Sequence, residues 1–332
     1  MGYQAEKEKI ELDLKRVKAI ALAIVVALLA VLCVFSAFVP PETWKYYVNT
    51  PALSKRREGE LRMHFLDVGQ GDCSLIEFPD GKVALIDGGD ASSNVELTIL
   101  RYLNALHIDV IDYLIVTHAD KDHCGSLSAV VKHKKILNAY LPTTETQYTC
   151  AEYKAFYKEL LEEDCTKKIS ERYLTLGTKE KEGYDFLFLY PYAREVTEDT
   201  YASNNESSAV LWLDYHGASA LFMGDAPYET EDALMRDHRL GVFDFCNVDL
   251  SRSEILKVAH HGSASATGLD FLKYLQTETA VISCGENNPY GHPHASVLSN
   301  LQKASVEVAR TDINGTIMIT MFTSGEYALS CR

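Results

Sequence analysis

The chain has 332 residues, 47% hydrophobic and 24% charged, an ordinary balance for a folded protein that allows one large domain or two small ones. Lysine and arginine total 32 against 47 aspartates and glutamates, a formal net charge of -15. That balance works against a broad electrostatic grip on nucleic acid, although a local basic groove or bound divalent ions would offset it.

In chain order, residues 19–39 form an unbroken apolar run without charge, long enough to cross a bilayer core of roughly 30 Å as a helix. A buried core helix of this length would carry a polar stripe. A cleaved signal sequence is the alternative, with Ser36-Ala37 near its end, but the run exceeds a signal's usual apolar stretch of roughly 7–15 residues. Lys9, Lys15, Arg16 and Lys18 lie just before the span and only Lys45 just after it. The expected arrangement is a single-pass anchor in the cell membrane, with residues 1–18 cytoplasmic and the bulk of the chain extracellular.

Residues 40–60, with three prolines and many charges, read as a juxtamembrane linker, and the folded domain is expected over 61–332. Strands are predicted at 61–68, 73–78 and 83–86, the last two joined by the turn Pro79-Asp80-Gly81. A helix over 95–106, a strand over 110–117 and a short helix over 126–131 follow. The segment 143–199 differs in texture, with an amphipathic helix at 152–163 and a charged turn at 178–183, and is expected to rim the site. Strands at 209–215 and 218–223 form a hairpin around His216-Gly217, with His216 a turn residue. A helix at 229–236 and strands at 255–259, 279–283, 307–309 and 316–321 complete the pattern.

Eight cysteines contain no CxxC pair, which leaves a zinc knuckle unsupported. Cys33 lies in the apolar run. In an extracellular domain Cys150 and Cys165 are the pair expected to bridge, and most of the others read as small buried residues.

The strongest chemical signal is Thr117-His118-Ala119-Asp120-Lys121-Asp122-His123, directly after the apolar run Tyr113-Leu114-Ile115-Val116. His118, Asp120, Asp122 and His123 are all able to ligate a divalent metal. If the strand continued, His118, Asp120 and Asp122 would project to one side. The plainer alternative is a polar loop that caps the next helix. Three further polar clusters weigh against it: Asp87-Gly88-Gly89, Gly224-Asp225 and His260-His261-Gly262-Ser263 each end an apolar strand. A single acid at a strand end is usually a turn residue or a cap. A series of strands ending in Asp or His is better explained by a shared metal site.

In this order the clusters resemble the metallo-β-lactamase superfamily. Within it, Asp67-Val68-Gly69-Gln70-Gly71-Asp72, Asn205-Glu206-Ser207-Ser208, His260-His261-Gly262-Ser263 and Gly291-His292-Pro293 resemble the C-terminal extracellular domain of the ComEC competence proteins. The likeness covers about 61–319. It implies an αββα sandwich, here preceded by one transmembrane helix, and a site of one or two divalent ions, zinc or manganese. Carried over by position, His118 and Asp120 would hold the first ion and Asp122 and His123 the second. Asp225 would bridge them, and either His260 or His261 would complete the second set. Asp87 belongs to the structural part of the motif.

Two departures bear on the metal. Asp120 stands where most of the superfamily has histidine, and this harder ligand shifts preference away from zinc. The usual third-motif histidine is absent, and Asn204-Asn205-Glu206-Ser207-Ser208 occupies its region.

A metal-activated hydroxide would need no serine or cysteine nucleophile, and no Gly-x-Ser-x-Gly elbow is present. Asp122 and His292 are the catalytic candidates, His292 to stabilise charge or protonate a leaving group. Gln70, Asp72, Asn205, Ser208 and Ser263 are the candidate substrate contacts. The resemblance implies a phosphodiesterase or nuclease with DNA among its substrates. The single span, against the multi-span channel of those proteins, argues against transport by this chain alone. A phosphorylcholine-type esterase of the cell envelope and a non-catalytic binding module are the alternatives.

Overall fold

The computed structural model describes residues 2–38, 40–142, 150–192 and 203–331. Val39 and Arg332, end points of predicted segments, and residues 143–149 and 193–199 of the expected rim lie outside the described residues. The chain divides into one unit up to Thr50 and a second from Pro51 onward.

The first unit is a single helix, α1 (Gly2–Phe38), followed by a short 3-10 turn (Pro41–Tyr46). Within Glu6–Phe38 an 18-residue window reaches a mean hydropathy of 3.0 with none of it buried, so the helix is long and apolar enough to cross a membrane. The helix starts well before the apolar run. Pairs such as Lys15 with Glu11, at 3.1 Å and one turn apart, line its polar beginning.

The second unit is built from two sheets. Its strands are β1 (Leu61–Phe65), β2 (Ser74–Glu77), β3 (Val83–Ile86), β4 (Val110–Ile115), β5 (Lys135–Leu141), β6 (Thr166–Ile169), β7 (Thr175–Gly177), β8 (Asp185–Tyr190), β9 (Val210–Tyr215), β10 (Ala218–Phe222), β11 (Ile255–Lys257), β12 (Thr279–Ile282), β13 (Glu307–Arg310), β14 (Ile317–Met321) and β15 (Tyr327–Cys331). Among the described residues the first sheet runs β15-β14-β1-β2-β3-β4-β5-β6 and the second β13-β12-β11-β10-β9-β8-β7. Each sheet is half antiparallel and half parallel, with β3 to β6 parallel in one and β10 to β13 parallel in the other.

The helices are α2 (Ser93–Ala105), α3 (Lys121–Cys124), α4 (Leu127–His133), α5 (Ala151–Glu162), α6 (Tyr228–Arg239), α7 (Leu269–Leu275), α8 (Ala295–Lys303) and α9 (Thr311–Asn314). Three apolar clusters show the layering. Tyr113 and Ile115 of β4 meet Phe186, Leu211 and Phe222 of the other sheet in the central cluster. Leu114 and Val116 face outward onto Ile99 of α2, Val130 of α4 and Phe156 of α5. Trp212 and Leu221 face the opposite way, onto Leu234 of α6, Leu272 of α7 and Leu301 of α8. The result is the expected αββα order. It also explains why these strands read as continuous apolar runs: both faces are buried.

The predicted strands and helices correspond to elements within a few residues at their ends, but the segment after 143 does more than rim the site. Its described part supplies α5 to one outer layer, β6 to the first sheet, and β7 and β8 to the second. His216 sits at φ +55 between β9 and β10, a turn residue as expected. The Cys150 thiol lies 3.6 Å from Cys124 Sγ rather than bonded to Cys165, and all eight cysteines are free thiols. Cys150 caps α5 and packs toward the loop after β4, which displaces the expected pairing.

Candidate metal centre

Parallel strands send their C-terminal ends to one edge, where ligands of open α/β sheets gather. Here β3 and β4 of one sheet and β10 and β11 of the other deliver Asp87, His118 to His123, Asp225 and His260-His261 to a common place. The β4 strand stops at Ile115, so His118, Asp120 and Asp122 do not line one face of a strand as expected. Asp120 is the extended residue before α3, and Asp122 and His123 lie within that single turn. The peptide N–H groups of His123 and Cys124 both donate to Asp120 O, at 3.1 and 3.0 Å. The tight turn brings the side chains together.

Asp87 is the fixed point behind them. Buried and at φ +61, it accepts Thr117 N–H at 2.8 Å on Oδ1, and Thr117 Oγ1 at 2.7 Å and His123 Nδ1 at 2.8 Å on Oδ2. Because Thr117 gives its hydroxyl proton to Asp87, its oxygen accepts from His118 Nδ1 at 3.1 Å. His261 Nδ1 donates to Ser283 O at 2.9 Å. All three imidazoles are thereby held in one tautomer, with Nε2 left as a bare lone pair.

Those lone pairs converge. His118 Nε2, His123 Nε2, His261 Nε2, Asp225 Oδ1 and Asp72 Oδ1 are buried with no hydrogen-bond partner among the described residues. His123 Nε2 stands 3.1 Å from Asp225 Oδ1, and His261 Nε2 is 3.2 Å from Asp122 Oδ2 and 3.8 Å from Asp225 Oδ1. Ligand atoms of Asp72, His123, Asp225 and His261 all lie within 4.8 Å of one another. Buried lone pairs facing each other are costly unless a cation or proton sits between them, so the donor set fits a divalent metal.

The field of the cluster agrees. Burial works against charge on His123, but Asp225 and Asp87 outweigh it and hold its proton affinity well above the usual range. Burial opposes the charge on His261 too, and Asp225 and Asp72 lift it to about 10. Asp122 is pulled down to about 2, its partial burial overcome by the hydrogen bond with His261 and the charge of His123. In Asp225 burial is again outweighed, by His123 and His261, and the group stays ionised far below the usual carboxylate range. Without a metal this site gathers protons.

The two adjacent histidines differ. His261 is buried and sits among Asp72, Asp122 and Asp225, whereas His260 is partly exposed, with Nδ1 3.1 Å from Ser265 Oγ and Nε2 3.6 Å from Asp225 Oδ2. Both have left-handed backbones, at φ 49 and 55, and this sharp turn points their rings to different oxygens of Asp225.

Several expected substrate contacts have other work. Asp72 is buried, with Lys257 Nζ 2.7 Å from its Oδ2, and so faces the cluster rather than solvent. Ser208 is fully buried and accepts Asp225 N–H at 3.2 Å, which positions that carboxylate. Ser263 is also buried, and its Oγ pairs with Ser265 Oγ at 3.1 Å, inside its own loop. Gln70 Oε1 accepts Gly285 N–H at 3.2 Å, and Asn205 Nδ2 is 3.4 Å from both ring nitrogens of His260. Gly71 is required because a Cβ there would strike Asp122 O, to which Asp72 N–H donates at 3.0 Å. Asn204 and Lys257 escaped sequence reasoning. Asn204 Nδ2 donates to Asp120 Oδ1 at 2.6 Å, which leaves Oδ2 toward His118 at 3.5 Å.

A four-layer αββα sandwich with a buried Asp/His cluster at the shared strand edge defines the metallo-β-lactamase hydrolase fold. Residues 66–175 match the family model described as the metallo-beta-lactamase superfamily, and the chain carries a domain of that superfamily. It is 34% identical over 288 residues to ComE operon protein 3 of Bacillus subtilis, 31% over 264 residues to Recombination protein 2 of Haemophilus influenzae and 26% over 275 residues to competence protein ComA of Neisseria gonorrhoeae. These alignments cover 80%, 77% and 83% of this chain but only 33%, 28% and 34% of the relatives, so the chain spans about a third of their length. Among solved structures, a diphosphatase from the PhnP family aligns at 15% identity with a TM-score of 0.43, covering 75% of this chain and 94% of that one. Zinc-bound PqqB from Methylobacterium extorquens aligns at 9% identity with a TM-score of 0.42, covering 73% and 85%.

Proposed function

We propose that the chain is a metal-dependent phosphodiesterase of nuclease type, anchored in a membrane by α1 with its folded unit on the outer side. The observation that carries the reading is the set of five buried, unpartnered atoms facing one another, three of them imidazole nitrogens pinned from behind. The Asp and His side chains around these atoms divide about the two oxygens of Asp225, with Asp72 held aside by Lys257. On Oδ2, His118 Nε2 lies at 3.7 Å and His260 Nε2 at 3.6 Å, with Asp120 Oδ2 3.5 Å from His118. On Oδ1, His123 lies at 3.1 Å and His261 at 3.8 Å, with Asp122 completing the set. Asp225 would then offer one oxygen to each of two ions. His260 would supply the first set with the donor that the missing third-motif histidine would have given, and His261 would belong to the second.

Oxygen and imidazole donors without a thiolate suit zinc or manganese, and Asp120 tilts the first position toward manganese. When bound, the ions supply a hydroxide from coordinated water near neutral pH and a clamp on the phosphoryl oxygens. The protein's share is orientation. Asp87 holds His123 directly and His118 through Thr117, Asn204 leaves one oxygen of Asp120 for the ion, and Ser208 fixes Asp225.

His292 stands 5.6 Å from the ring of His260 and 6.1 Å from that of His261. Burial and the neighbouring His261 and His260 push it down to about 4, so it is neutral at pH 7. Its role is a hydrogen bond to the leaving oxygen rather than a positive charge. The kinship with proteins named for competence and recombination supports nucleic acid as the substrate.

The test is hydrolysis of single-stranded DNA and bis-p-nitrophenyl phosphate by the full chain in detergent with manganese or zinc. Asp122→Ala and His123→Ala are expected to abolish both activities, and a metal-loaded wild type that cleaves neither compound contradicts the reading. Protease treatment of intact cells is expected to digest the folded unit. Digestion only after lysis would place it on the other side.

A further inference from the structure

The turn that follows β12 carries an aromatic platform beside the cluster. Asn288 braces it: Nδ2 donates to Gly285 O at 2.9 Å and to His292 O at 2.6 Å, and Oδ1 accepts His292 N–H at 3.0 Å. On this braced turn the Tyr290 ring stacks on His292, with centroids 5.6 Å apart and planes inclined by 20°. Tyr290 is 61% exposed. A line of rings thus leads from His260 and His261, through His292, to a solvent-facing phenol.

Single exposed aromatics are common and need no explanation. This one is different in two respects. One side of its ring is already backed by His292 on a turn that three side-chain hydrogen bonds hold in place, so less side-chain freedom is lost when a ligand covers the other face. Beside it, His292 Nδ1 and Gln70 Nε2 are buried without a partner among the described residues, and Gln70 Oε1 is the acceptor for Gly285 in the same turn. A ligand that stacks on Tyr290 would bring polar atoms to groups that now have none.

We infer that Tyr290 seats a nucleobase next to the cleaved phosphodiester, so that the site takes single-stranded nucleic acid. This rests on the phosphodiesterase reading above and names its substrate class. Stacking needs an unpaired base, because a duplex buries both base faces, and every base has a face to offer. It also needs no basic surface, which suits a chain of net charge -15. A choline-bearing polymer fits less well. Quaternary ammonium groups are held in cages of several aromatic faces, and this turn presents one exposed ring among the described residues.

The experiment compares KM of the full, manganese-loaded chain in detergent for two oligodeoxynucleotides of equal length, one ordinary and one with abasic residues. Wild type is expected to favour the base-bearing strand by about 10-fold in KM. Tyr290→Ala should erase that preference and Tyr290→Phe should keep it. A wild type with no preference, or a preference that survives in Tyr290→Ala, overturns the inference while the phosphodiesterase reading stands. Hydrolysis of glycerophosphocholine but of neither strand overturns the nucleic-acid substrate and leaves the metal-dependent hydrolase intact. Failure to cleave any phosphodiester overturns both.

Discussion

Lys257 Nζ lies 2.7 Å from Asp72 Oδ2, and both side chains are buried between the two sheets' strand edges. The same carboxylate turns its other oxygen toward His261 Nδ1 at 3.6 Å. Asp72 therefore serves as a negative neighbour for His261, and Lys257 is the counter-charge that allows it to be buried. Burial raises the proton affinity of Asp72, but Lys257 and then His261 outweigh it and hold the group below the usual carboxylate range. Being depressed, this pKa stabilises the folded state above 3.8, and the contribution is lost only as pH falls below that range.

Lys257→Met should strand the Asp72 charge and destabilise the fold by on the order of 3–5 kcal/mol, while the double variant with Asp72→Asn should recover much of the loss. Urea unfolding of wild type, both single variants and the double variant measures this. Strictly additive effects would contradict the pairing.

The protonation of the metal-free cluster has its own signature. His261 is raised to about 10 and His123 well above its usual value, so at pH 7 both carry the proton that an ion must displace. Metal binding should release about two protons per chain and tighten as pH rises from 6 to 8. Calorimetric titration in buffers of different ionisation enthalpy counts the protons, and zero release would show that the ion goes elsewhere.

A second buried carboxylate gives a stability effect remote from the ligands. Glu231 of α6 accepts the peptide N–H groups of Thr267 and Gly268, the latter at 3.0 Å, and burial raises it from 4.5 to about 7. A raised pKa means that the folded state is favoured by protonation. This contribution is present below pH 4.5 and is lost as pH rises through about 7. Glu231→Gln should therefore gain on wild type by up to roughly 3 kcal/mol at pH 8 and by little at pH 4. Thermal unfolding at the two pH values decides it, and an equal difference at both would contradict the assignment.

Much of this centre was legible because its strands are buried on both faces. Leu114-Ile115-Val116 and Leu221-Phe222-Met223 are unbroken apolar runs, so the polar residues that end them stand out in the sequence. The partners that tune the cluster were not legible, because they meet it only in three dimensions. Asp72 and Lys257 are 185 positions apart, and Asn204 and Asp120 are 84. Neither lysine nor asparagine announces a metal site by type. Ser208 and Ser263 read as substrate contacts because a hydroxyl in a polar loop looks available, whereas in the fold both residues are buried, Ser208 on Asp225 N–H and Ser263 on Ser265 of its own loop. The different settings of His260 and His261 arise from two left-handed residues in succession, which no local pattern signals.

The central claim is that the Asp and His side chains at the shared strand edge hold two ions bridged by Asp225. Elemental analysis of the full chain, purified in detergent and equilibrated with manganese or zinc, tests it most directly. About two ions per chain are expected, falling to one in His260→Ala, with Asp225→Asn losing most of both. A wild type that retains no divalent metal, or an Asp225→Asn variant that retains the full complement, would contradict it.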